Sequence, residues 1–418
     1  MTDSPDWDDL LDKSRGTADR AMFTPYIAEL CREETLSDDM KMRLLGNAVR
    51  NSPENQAIVL DHKDFVNSLL TPFVLPLTVL YNLCVGNPTA AEYIASQEEP
   101  LVAALSEERG PGCMNLLGVL FQELNEFPLS LSRQLVLDGQ LLEVLEIDPK
   151  LAMDEELIKK FDDVFAIAVS YPDQDAAITA ITAITCNENF GLEAAKNIPL
   201  TSSVVFALVL ANLTGKLEAM DSVLVHWPNA IDTILQMFSD DGQEDANLNF
   251  AAYFLRNVAR DSKLASELWE KGIYKVVEYL SEDEEDCELL LQLAGHLLAV
   301  KYDQRVVDLL FDEEADYSPE RVLALSRAAQ GLTSLANVEE HKDTAEKIAG
   351  ALTDLLHQTP ASLPQTMPLW VKGSKALAQL SRVVPVEIDE LESEGPDNEA
   401  VRANFQAARS PSKNLTST

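Results

Sequence analysis

The side chains of this chain whose types could do covalent chemistry do not gather. Its five histidines (His62, His226, His296, His341, His357) are dispersed, neither H-E-x-x-H nor C-x-x-C occurs, and no Cys/His pair has metal-ligand spacing, so a zinc site is not expected. The glycine patterns that cradle phosphate are missing, as is the strained serine turn G-x-S-x-G. Carboxylates are plentiful, but no spacing singles out a catalytic pair. No enzymatic activity, metal or cofactor is therefore expected. What recurs is an amide. Residues 42–59, MRLLGNAVRNSPENQAIV, and residues 77–94, LTVLYNLCVGNPTAAEYI, carry Asn47 and Asn82 at matching places. Asn212 (LVLANLT) and Asn257 (YFLRNVA) sit in similar apolar runs, and His296 takes that place in LAGHLLA. A primary amide both donates and accepts, so it can hold the backbone of an extended peptide or tie one helix to the next.

The elements that must position these groups follow from their spacing. With Asn47 as anchor, the neighbourhood recurs at Asn82, Gln122, Ala166, Asn212, Asn257, His296, Thr333 and Gln379, at intervals of 35 to 46 residues. Each lies in an apolar run of helical period. Pro53, Pro88, Pro128, Pro172 and Pro385 each fall six residues after an anchor, in a chain with 20 prolines. Proline fits the first turn of a helix and breaks its interior, so each anchor helix ends before its proline and a new helix starts near it. Periods of this length mark stacked helical repeats, none able to bury its apolar face alone. Runs of alternating β-branched residues bounded by hairpin turns are absent.

Composition bounds the partners. The 418 residues are 46% hydrophobic, and 70 acidic against 32 basic residues give a net charge of −38. Phosphate backbones need Lys and Arg, so bare nucleic acid is not expected as a partner, whereas a basic protein segment is. No apolar stretch reaches 18 residues, so no membrane span is expected. The N-terminus has no leader character. Five scattered cysteines (Cys31, Cys84, Cys113, Cys186, Cys287) read as buried free thiols of a reducing compartment, the cytosol or cytosol and nucleus. Residues 1–19 read as an acidic lead-in with a short helix at Trp7–Leu11, residues 20–384 as the repeat domain, and residues 385–418 as an acidic, then polar, largely disordered tail with room for a short helix near Asn398–Arg409. SEDEED (281–286) and DEEAD (312–316) read as loops between repeats. VVPVEIDELESE (383–394) has the composition of a strand-adding SUMO-interacting segment, or equally of a helix end running into acids.

The segment FLRNVARDSKLASELWEKGIYKVVEYL (254–280) resembles an armadillo repeat: a long helix carrying L-x-N, a short helix, a glycine and a further helix. HEAT repeats are the near alternative, since the period does not separate them. The resemblance implies an all-α, armadillo/HEAT-like α-solenoid of about nine repeats forming a right-handed superhelix. It also implies a concave face lined by the anchor helices, so that Asn47, Asn82, Asn212, Asn257 and His296 are the candidate partner-binding residues. Trp227, Trp269 and Trp370 lack the W-x-x-x-N arrangement of nuclear-import adaptors.

An acidic solenoid of this kind, with short L-x-N helices ending in N-P or S-P, resembles the small-GTPase GDP-dissociation-stimulator family (SmgGDS). That resemblance implies a monomer that binds Rho- or Rap-type GTPases through their basic, prenylated tails. Groove carboxylates would attract the tail, and an interhelical slot would shelter the lipid at about 0.8 kcal/mol per buried CH₂. Grip on the GTPase would then release GDP or chaperone the client. The other class is a passive scaffold, such as an adaptor or an Hsp70-type co-chaperone. Both readings expect an inner wall rich in carboxylates.

Overall fold

The structure is a computed structural model and describes residues 6–16, 20–33, 36–107, 110–187, 189–215, 217–239, 248–282, 287–311 and 317–409; no strand occurs among them. Proline sits where the anchors require it. Pro53 and Pro88 open helices Pro53–Asp61 and Pro88–Ala95, and Pro128 directly precedes Leu129–Leu137. Pro172 and Pro385 lie in the connections before Gln174–Thr185 and Asp389–Glu394. Side chains complete these junctions. Asn87 Oδ1 accepts the Ala90 N–H at 3.1 Å, and Asp261 Oδ1 accepts those of Lys263 and Leu264 at 2.9 and 3.0 Å. Gly272, at φ +86°, lets Ile273 N reach Leu268 O at 3.1 Å and closes helix Ser262–Glu270. A left-handed residue of this kind is the usual helix stop, and glycine bears it without a Cβ penalty.

All nine anchors lie in helices, which stack within two compact units, Met1–Ile198 and Pro199–Thr418. Residues 20–384, expected as one repeat domain, span parts of both units. The first unit contains α1 (Trp7–Gly16), α2 (Asp38–Val49), α3 (Val74–Cys84), α4 (Pro111–Glu123) and α5 (Phe161–Val169). In it α1 packs on α2, α2 on α3 and α3 on α4, while α5 packs against Leu129–Leu137 and Gln174–Thr185. The second contains α6 (Val204–Thr214), α7 (Asn249–Val258), α8 (Cys287–Leu298), α9 (Pro319–Thr333), α10 (Met367–Leu380) and α11 (Glu399–Arg409), each packed on the next. Burial explains why these short helices persist. In α6 every residue except Asn212 is buried, as expected for a helix covered on several sides. Each buried leucine or valine contributes about 1.5–3 kcal/mol, far above the tenths that separate helix propensities, so the stack holds each helix.

Both ends differ from the sequence reading. The lead-in helix runs Trp7–Gly16, and Leu10, Leu11 and Ser14 are buried where it meets α2. Residues 385–409 fold rather than trail away: the short helix expected near Asn398–Arg409 is present as α11, which buries Val401 and Phe405 to 1% exposure and lies on α10. Polar composition misled here, because a helix that packs along one side needs only one apolar stripe. In the segment 383–394, Asp389–Glu394 is a helix, and Val384, Ile388 and Leu391 are buried, so its apolar residues serve the core and not a strand-adding edge. Residues 283–286, 312–316 and 410–418 lie outside the described residues, and most of both acidic loops lies there. The cysteines also divide. Cys31, Cys84 and Cys113 are buried, but Cys186 is exposed and Cys287 half-buried, because these two stand at helix ends.

Candidate functional site

The recurring amides have two fates, decided by what stands beside them. Asn257 on α7, expected on a binding face, is 3% exposed. Its Nδ2 donates to Ala211 O at 3.0 Å and Thr214 Oγ1 at 3.2 Å, both on α6. Asn404 on α11 repeats that geometry, donating to Val371 O at 3.2 Å and Ser374 Oγ at 2.9 Å on α10. Asn47 on α2 donates to Ser14 Oγ on α1 at 2.9 Å. In all three the amide reaches back to a hydroxyl of the helix it packs on: Ser14 and Thr214 lie in the last turn, Ser374 in the middle of α10. Asn212 is half-buried on α6, next to the carbonyl that Asn257 takes.

Asn47 and Asn82 remain partly accessible and come together. They line one cleft of about 320 Å³ with Arg43, Gly46, Arg50 and Thr78. A second cleft of about 340 Å³ shares Arg50, Thr78 and Asn82 and adds Asn51, Tyr81 and Asn115. Together they run across α2, α3 and α4. The polar lining is amide, hydroxyl and guanidinium, with Leu11, Met42, Leu75 and Val85 as its apolar part, and neither cleft is lined by a carboxylate. These two clefts therefore lack the carboxylate-rich wall expected of a binding groove. Arg43 is paired with Asp39 at 2.8 Å, one turn back on α2, and Arg50 follows the last turn.

Sequence reasoning missed the amides that hold this cleft in shape. Asn55 is fully buried; its Nδ2 donates to Arg20 O and Ala48 O at 2.9 and 2.8 Å, and its Oδ1 accepts from Thr24 Oγ1 at 2.7 Å. Gln56 Nε2 donates to Asn82 O at 2.9 Å and Val85 O at 3.1 Å, which fixes the end of α3 beneath Asn82. A signal was present: in the second copy of the repeat the corresponding residues are Ala90 and Ala91, so a polar pair stands where its twin is apolar.

His296 is half-buried on α8, and its Nδ1 lies 3.4 Å from Arg327 Nη1 of α9. Burial, with the nearby charges of Arg327, Arg260 and Arg256, pushes its pKa down to about 4. The imidazole is thus neutral at pH 7 and accepts from Arg327. This contact also corrects a register. A Cβ on Gly46, the residue before Asn47, would meet Val79 and Asn82 at 3.8 and 3.9 Å; one on Gly295, the residue before His296, would meet Arg327 and Ala324 at 3.1 and 3.5 Å. Arg327, and not Thr333, therefore fills the anchor slot of α9. Among the described residues no group of three or more His, Cys, Asp or Glu is placed to hold a metal, and no helix is long and apolar enough to cross a membrane.

No family model matches the sequence, and no curated protein matches it. Among solved structures, one whose subject is a conserved phosphorylation switch controlling the interaction between cadherin and β-catenin is similar over 98% of this chain and 97% of that chain, with a TM-score of 0.53 and 13% identity. At that identity the likeness concerns the fold, and with the helix stacks described above it makes this chain an all-α protein of the armadillo-like helical-repeat class.

Proposed function

We propose that the chain is a protein-binding scaffold without covalent chemistry, and that the cleft over α2, α3 and α4 receives an extended segment of its partner. The carrying observation is the run of accessible side chains Asn47, Asn82 and Asn115 across three packed helices, with Arg50, Thr78 and Tyr81 between them. Amides on neighbouring helices offer donors and acceptors to a backbone that lacks secondary structure of its own. The test is selection of peptides from a random library on the immobilised chain, followed by fluorescence anisotropy with the best peptide. Asn82→Ala should weaken binding by about tenfold, the effect of removing one well-placed pair of hydrogen bonds. Unchanged affinity in Asn82→Ala and Arg50→Ala together would remove the cleft from the mechanism.

A narrower form makes the client a small GTPase of Rho or Rap type with a basic, prenylated tail, bound by a monomeric chain in the cytosol. The net charge of −38 supports it, since such a surface attracts Lys and Arg at long range. The arginines of the cleft oppose a basic tail there, so the tail would meet carboxylates elsewhere on the surface. Release of fluorescent GDP from a Rho-type protein separates the two forms. Acceleration that fades with salt supports the GTPase reading, and an unchanged rate leaves the adaptor or co-chaperone.

A further inference from the structure

We infer that the face of α7, α8 and α9 that carries Arg256, Arg260, His296 and Arg327 is a docking surface for a carboxylate-rich segment of a partner protein. The inference goes beyond the preceding section, since it concerns a different unit of the chain and stands whether or not the α2–α4 cleft takes a peptide. It starts from an imbalance. In a chain with 70 acidic and 32 basic residues, an uncompensated basic patch is unexpected. Some other described cations have carboxylate partners, as in Arg133–Asp154, Lys271–Asp232 and Arg305–Asp303. None of Arg256, Arg260 and Arg327 makes an ion pair among the described residues.

Their contacts are neutral. Arg256 lies 5.4 Å from the centre of the Tyr253 ring, and its buried Nε has no hydrogen-bond partner. Arg260 Nη1 donates to Gly215 O at 3.0 Å, and the rest of this side chain is at the surface. Arg327 Nη1 meets the neutral His296. The carboxylate that acts on Arg256 is Glu288 on α8, and it already accepts from Gln292 Nε2 at 2.8 Å. Arg256 on α7, Arg260 just beyond its end and Arg327 on α9 thus surround the neutral His296, and the carboxylate acting on Arg256 is already committed. Half-burying like charges without counter-ions is unfavourable in the free chain, and a bound carboxylate removes that penalty while forming charge-assisted, often bidentate hydrogen bonds. The spacing suits an extended segment: packed helices lie about 8–10 Å apart, roughly three residues of extended chain. The overall negative charge repels an acidic peptide and a nucleic acid alike at long range, but a peptide with a carboxylate on alternate residues less than a nucleic acid with a charge on every phosphate.

The test uses the full chain and a fluorescein-labelled peptide of alternating Glu and Leu, with a Lys/Leu peptide and a single-stranded oligonucleotide as comparisons. The Glu/Leu peptide should bind best. Arg327→Glu and the surface variant Arg260→Glu should each weaken it on the order of tenfold, and Arg327→Lys should retain part of the affinity. Arg260→Glu keeps the test decisive if a change at half-buried Arg327 lowers stability. Asn82→Ala should not alter this binding, which separates the surface from the first-unit cleft. No binding of the Glu/Leu peptide, preference for the Lys/Leu peptide or the oligonucleotide, or equal affinity in Arg260→Glu and the parent chain would overturn the inference.

Discussion

Asn257 Nδ2 lies 3.0 Å from the carbonyl oxygen of Ala211, 46 residues earlier in the chain, and the same amide reaches Thr214 Oγ1. One side chain therefore joins α7 to α6, and Asn404 joins α11 to α10 in the same way. The amide that sequence reading offers to a partner is here consumed by the stack.

Replacement of Asn257 should show it. In Asn257→Ala the Ala211 carbonyl and Thr214 hydroxyl lose a buried donor, so urea titration should report a loss of about 1–3 kcal/mol. Asn82→Ala, at a partly accessible cleft position, should stay within about 0.5 kcal/mol. Equal losses at the two sites would mean that both amides are structural.

The folded C-terminal segment yields a second outcome. Phe405 is 1% exposed between α11 and α10. Phe405→Ala should cost about 3–5 kcal/mol, as for other buried phenylalanines. A melting temperature equal to that of the parent chain would show that residues 385–409 do not contribute to the second unit.

His296 makes stability depend on pH. Its folded-state pKa is pushed down to about 4 from 6.5 by burial and then by Arg327, Arg260 and Arg256, so between these values the unfolded chain binds the extra proton. Its contribution is complete above pH 6.5 and is lost as pH falls through the window towards 4. His296→Gln cannot take up that proton. The difference in urea midpoint between the two proteins should therefore shift in favour of the variant from about pH 7.5 to about pH 5; a constant difference would assign the histidine no titration in this range.

Thiol chemistry should follow burial. Cys186 is exposed, whereas burial pushes the Cys31 thiol up to about 11 and raises that of Cys84 further. A thiolate is the reactive form, so Ellman's reagent at pH 8 should label Cys186 first and Cys31 and Cys84 only with unfolding. Early labelling of Cys84 would reveal opening of the α3 contacts under native conditions.

The sequence by itself determined the class of the fold and its punctuation. Apolar residues at helical period and prolines six positions after the anchors are local features, and they place helix ends regardless of what packs outside, so all nine anchors lie in helices. The tertiary structure decided which side chains are free. A shift along a helix of only a residue or two rotates a side chain from solvent to a neighbour, because each residue turns by about 100°. Asn82 lines a cleft while Asn257 is buried, and Arg327, six residues before Thr333, faces His296. The clustering of Arg256, Arg260 and Arg327 was likewise beyond the sequence. Charge counts sum over the whole chain, whereas a binding face is made by residues 67 to 71 positions apart that only stacking brings to one side.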